Sequence, residues 1–161
     1  MPKIKEEKKI DFIIANGENT ADGMGINKES FNELINLGVN VVTMGNHTWA
    51  KKDIFGFIDE PKLLRPANLP KDVVGKGYGI YDIADKKVAV INLLGRVDMG
   101  VLSENPFIEA DNIIEKVKNE ADIIIVDFHA EATAEKMAMA YYLDGRVTRS
   151  VWNTYTCANR R

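Results

Sequence analysis

Three short apolar runs rich in β-branched residues, 10–15, 39–44 and 123–128, each pass without a spacer into a polar loop. That pattern constrains the fold more than any other feature, because runs of this length and make-up are buried strands. The stretches between them change period. Phe31, Leu34 and Ile35 share one face of a helix that Asn27 can cap and Gly38 can end. Ala110, Ile113, Ile114 and Val117 do the same in a helix over 107–120, and a further helix over 132–143 stops at Gly145. Residues 78–83 and 88–93 read as a hairpin turning at 84–86. Residues 53–58 read as a short helix, and 63–77, with Pro66 and Pro70, as irregular. Strands alternating with helices imply an α/β layered domain, and the hairpin adds antiparallel pairing.

Composition narrows the function classes. A chain of 161 residues fits one domain. The net charge is -3, so no broad basic field collects nucleic acid, and a bound anion must be held by local groups or metal ions. Cys157 is the only cysteine, which rules out an intrachain disulfide. Residues 1–9 are charged and do not read as a signal peptide. The longest apolar runs fall far below the roughly 20 residues of a membrane span. The expectation is a cytoplasmic protein with no membrane partner.

The chemistry gathers where the strands end. The loops are Asn16-Gly17-Glu18-Asn19, Gly45-Asn46-His47-Thr48 and Asp127-Phe128-His129-Ala130-Glu131, and they hold both histidines of the chain. In open α/β sheets the carboxyl edge of the strands is where ligands bind. Glu18 reads either as a solvated loop carboxylate or as a carboxylate bridging two cations. Asn46 and His47 read either as a loop cap beside a surface imidazole, or as an amide ligand beside a proton donor. His129 is either a ligand for Fe, Mn or Zn or a partly buried ring bonded to a carbonyl; Glu131 or a backbone carbonyl could accept from its other nitrogen. Trp49 and Met44 read as packing, and Arg65 and Arg96 either face a phosphate or are solvated. No P-loop, G-x-S-x-G or C-x-x-C motif is present.

Several stretches together resemble one family. I-D-F-I-I-A-N-G-E-N (10–19), T-M-G-N-H-T-W (43–49), L-L-R-P-A-N (63–68) and D-F-H-A-E-A-T (127–133) resemble the YmdB-type branch of the calcineurin-like metallophosphoesterases, and V-I-N-L-L-G-R (90–96) and Y-L-D-G-R-V (142–147) fit it as well. The resemblance runs over about 9–148. It implies a four-layer αββα sandwich, here a partial one, with a two-metal site on one edge. It implies two divalent ions, Fe or Mn, and hydrolysis of small phosphodiesters such as 2',3'- or 3',5'-cyclic nucleotides. By resemblance Glu18 is the bridging carboxylate, Asn19, Asn46 and His129 are further metal ligands, and His47 is the general acid.

The chain also departs from that family. The family opens with an additional strand ending in a metal-binding Asp, and it carries a G-T-H-T-H segment shortly after the D-G-R-V match. Neither is found here, so a single, incomplete domain over 1–161 with impaired turnover is expected, exposing sheet edges that a homo-oligomer would cover. A G-T-H-T-H-V-Q-T coding segment read one nucleotide out of frame spells W-N-T-Y-T-C-A-N, which is residues 152–159. Residues 149–161 are therefore expected to be a frameshifted tail. Two other classes compete: a non-catalytic truncated remnant, and a metal-free nucleotide-binding α/β domain.

Overall fold

The computed structural model describes residues 2–153. Cys157 and the rest of 154–161 lie outside the described residues. A short helix, α1 (Pro2–Glu7), precedes two sheets. The first sheet is parallel: β1 (Ile14–Asn16), β2 (Val41–Thr43) and β3 (Leu63–Leu64), in that order. The second is mixed: β4 (Tyr78–Ile83) runs antiparallel to β5 (Lys86–Leu94), and β6 (Ile123–His129) and β7 (Arg149–Asn153) add in parallel. Three further helices complete the domain: α2 (Lys28–Asn36), α3 (Pro106–Val117) and α4 (Thr133–Leu143).

Side-chain alternation makes the layers. On β5, Val88 and Val90 turn into the space between the sheets, where they meet Val41, Leu64, Ile123 and Ile125. Ala89, Ile91 and Leu93 turn outward onto Ile113 and Ile114 of α3 and Met139 of α4. On the far side of the first sheet, Val42 packs with Phe31 of α2 and with Ile54. The order is helix, sheet, sheet, helix, the αββα sandwich expected from the resemblance. On β6, with period 2, Ile123 and Ile125 face the neighbouring sheet, so Asp127 and His129 occupy the same face at the strand's end. Thr43 follows Val41 in the same way on β2.

The helix signals act as read. Asn27 caps α2 by accepting from the Ser30 amide, and Gly38 ends it at φ 90°. Asn105 caps α3 with Pro106 in the first turn, a start the amphipathic pattern alone did not locate. Differences are mostly at boundaries. The run 10–15 narrows to Ile14–Asn16, because the Ile13 amide donates to the Asn40 side chain instead of to a strand. Residues 53–58 form a 3-10 turn, Lys52–Gly56, and the irregular stretch includes β3. Residues 149–153, set apart above as a tail, form β7 beside β6.

Candidate active site

The two buried groups of the site are Glu18 and His129, 0% and 1% exposed. Glu18 comes from the loop after β1, and His129 ends β6. His129 Nε2 lies 3.0 Å from Glu18 Oε1 and 3.1 Å from Asn46 Oδ1. Above this floor, Asn19 is exposed and His47 half-buried, and His47 Nδ1 meets the Asn19 amide at 2.9 Å. The Asn19 amide is better satisfied turned over, its nitrogen donating to His47 Nδ1 and to the Gly23 carbonyl (3.0 Å). His47 then carries its proton on Nε2. All five residues singled out in the sequence thus meet at one edge of the sandwich.

Gly45 makes that approach possible. A Cβ there would lie 1.9 Å from Glu18 Oε2 and 2.6 Å from His129 Cδ2. Any side chain at 45 would occupy the carboxylate's place, so the tight turn off β2 serves the site as well as the fold.

Reasoning on the sequence missed three supporting residues. Asp127, 2% exposed, accepts from the Thr43 hydroxyl at 2.6 Å. Its other oxygen accepts from the Asn153 amide nitrogen, and the Asn153 oxygen faces His129 Nδ1. The partner of that ring nitrogen is therefore Asn153 and not Glu131. The cause is register: Asn153 lies directly opposite His129 across β6 and β7, whereas Glu131 has already left the strand. The signal that could have found Asp127 and Thr43 is their place on the inward face of each strand, one period beyond the apolar positions. Arg65 is also corrected. It is buried, and its guanidinium donates to the carbonyls of Val74, Pro66 and Val73, clamping the 66–74 loop rather than facing a phosphate.

Electrostatics follow from this geometry. Burial opposes charge on His129, but the Glu18 hydrogen bond and charge, with Asn153 and Asp127, outweigh it and raise its pKa. Burial is also the main influence on Asp127 and raises its pKa, with Thr43 and His129 pulling the other way.

Among the described residues no three His, Cys, Asp or Glu side chains gather in a metal-holding group. The candidate set is one carboxylate, one imidazole and the amides of Asn19 and Asn46. It nonetheless fits a cation. Glu18 Oε2 is buried with no hydrogen-bond partner, a costly state for a carboxylate oxygen that a cation would relieve. The Asn19 amide lies 3.3 Å from Glu18 Oε1, so it reaches the same carboxylate.

Two facing sheets flanked by helices, with loops from both sheets joined at one edge, have the metallophosphoesterase fold. Within that class, the chain belongs to the family described as YmdB-like protein, whose model matches residues 1–157. It is 46% identical over 157 residues to the 2',3'-cyclic-nucleotide 2'-phosphodiesterase of Bacillus subtilis (strain 168), covering 97% of this chain and 59% of that protein. The crystal structure of a hypothetical protein from Thermus thermophilus superposes with a TM-score of 0.87 at 36% identity, over 94% of this chain and 58% of that one. That of a novel phosphatase from Mycoplasma pneumoniae superposes at 0.83 and 37%, over 91% and 54%. The chain spans a little over half the length of the relatives it matches. That family includes proteins named as a phosphodiesterase and a phosphatase.

Proposed function

We propose that the protein hydrolyses small phosphodiesters, 2',3'- or 3',5'-cyclic nucleotides among them, with divalent ions held by Glu18, Asn19, Asn46 and His129. The observation that carries this reading is the buried, unpartnered Glu18 oxygen beside the His129 ring and the Asn46 oxygen. The name of the Bacillus subtilis relative supports the cyclic-nucleotide part. Imidazole with carboxylate and amide oxygens suits Fe or Mn. Bound divalent ions would neutralise phosphoryl charge and acidify water. The chain's own residues do the rest. Glu18 would offer its carboxylate oxygens to the ions, the His129 ring is held in place from behind, and His47, half-buried at the rim, would donate a proton to the leaving oxygen.

One carboxylate and one imidazole hold a cation less firmly than a fuller shell. Turnover by these 161 residues alone is therefore expected to be low. No helix among the described residues is long and apolar enough to cross a membrane. The exposed Met137, Tyr141 and Trp152 along α4 and β7 favour a homo-oligomer that covers them, which light scattering of purified protein would test.

The deciding experiment is manganese binding by calorimetry, alongside hydrolysis of a 2',3'-cyclic nucleotide. Binding that disappears in Glu18→Gln supports the reading. Binding indifferent to Glu18 would place the ion elsewhere, and tight nucleotide binding without metal would move the protein to the metal-free class.

A further inference from the structure

We propose that Asp127 is a positioning residue for the candidate cation site, holding the proton of His129 on Nδ1 through the Asn153 amide and holding the Asn46 loop against that ring through Thr43. The inference rests on the reading of His129 as a cation ligand.

The argument starts from hydrogen-bond polarity. Asp127 is buried and presents only acceptors while ionised. One oxygen accepts from Thr43 Oγ1, and the other from Asn153 Nδ2. An amide has one donor end and one acceptor end. With its nitrogen committed to Asp127, Asn153 must offer its oxygen to His129 Nδ1, and that nitrogen must carry a proton and donate it. The other ring nitrogen, Nε2, faces the acceptor oxygens of Glu18 and Asn46, so without a cation it also holds a proton, which it must give up to offer a lone pair to a bound ion. If the Asn153 amide turned over, its donor end would face Nδ1, which would then hold no proton, and the ring would have to keep its one proton on Nε2, the side where the cation binds.

The second arm acts on distance. Thr43 is the last residue of β2, and the Gly45-Asn46-His47 loop begins two residues later. Asp127 is two residues before His129 on β6. The 2.6 Å bond between them joins the two sheets directly beneath the loop and the ring. A single carboxylate thus sets both the protonation side of the ring and its distance from Asn46.

The test is nuclear magnetic resonance on metal-free protein, following the His129 ring protons and nitrogens, with manganese binding measured separately. Wild type should show a slowly exchanging Nδ1 proton. Asp127→Ala frees the Asn153 amide, so this proton should be lost and manganese affinity should fall by about 10–100-fold. Asp127→Asn keeps an acceptor oxygen for Asn153 and should largely restore both. Should Asp127→Ala fail to fold, Asn153→Ala removes the same link at a strand end and should lose the same proton. A ring proton unchanged in Asp127→Ala, or in Asn153→Ala where the former is unfolded, overturns the proposal. So does Asp127→Asn behaving like Asp127→Ala. Wild type that shows the Asp127-dependent proton yet binds no manganese would refute the cation site while upholding the positioning role.

Discussion

The Thr43 hydroxyl donates to Asp127 Oδ2 at 2.6 Å, across 84 residues of sequence and from one sheet to the other. Both groups are buried, so neither has water as an alternative partner. Thr43→Val keeps the shape and removes the donor. It should destabilise the protein by roughly 1–3 kcal/mol, the usual cost of leaving one buried polar group unsatisfied. Urea unfolding would show this as a lower midpoint at unchanged slope. A midpoint equal to wild type would mean that the bond contributes nothing.

Gly45→Ala should damage the site more than the fold. Its Cβ would meet Glu18 Oε2 at 1.9 Å, a distance no real pair of atoms keeps, so the carboxylate must swing away. Manganese binding should weaken by at least about tenfold, in the range seen when groups that orient a metal's ligands are lost. Calorimetry on the variant decides it, and affinity matching wild type would show that the Glu18 carboxylate has no fixed place.

Much of this site was legible because it depends on local rules. Period-2 strands that stop abruptly put Glu18, Asn46 and His129 at one edge, and the Asn27 cap and the Gly38 stop marked the helix that covers β2. Asn153 was not legible. Its contact with His129 depends on the parallel register of β6 and β7, which nothing within either strand specifies. The same holds for Thr43 and Asp127, whose pairing needs the two sheets already stacked. Arg65 misled for another reason. A guanidinium suited to phosphate is equally suited to the carbonyls of a folded-back loop, and only the chain path distinguishes the two.

Metal should stabilise the wild-type chain. A ligand binding only the folded state adds about 2.7 kcal/mol at a hundredfold excess over its dissociation constant. Manganese should raise the melting temperature in a concentration-dependent way, and chelator should reverse it. Glu18→Gln should abolish the response. Without metal it should be less stable than wild type by roughly 1–3 kcal/mol, because Glu18 Oε1 is the buried partner of His129 Nε2 at 3.0 Å. An equal manganese response in both proteins would place the ion elsewhere.

The pH dependence of stability is predicted at a second cluster, away from the site. Asp111 of α3 accepts from Tyr142 Oη at 2.6 Å and from Arg146 Nη2 at 2.5 Å, tying α3 to the end of α4. Arg146 also lies 4.9 Å from the centre of the Tyr142 ring. The Tyr142 hydrogen bond, then that of Arg146, lowers the Asp111 pKa, with burial opposing slightly. A carboxylate depressed in the folded state contributes stability above its unfolded pKa, about 3.9, and loses it as pH falls through the lower folded value. The pair is more than a third exposed on its acidic side, so solvent screening limits the contribution to about 0–1 kcal/mol. Asp111→Asn should thus be slightly less stable than wild type near neutral pH. The two proteins should converge once the pH lies well below the carboxylate range. Paired urea curves at the two pH values test this, and a difference that persists in acid would assign the effect to packing rather than to charge.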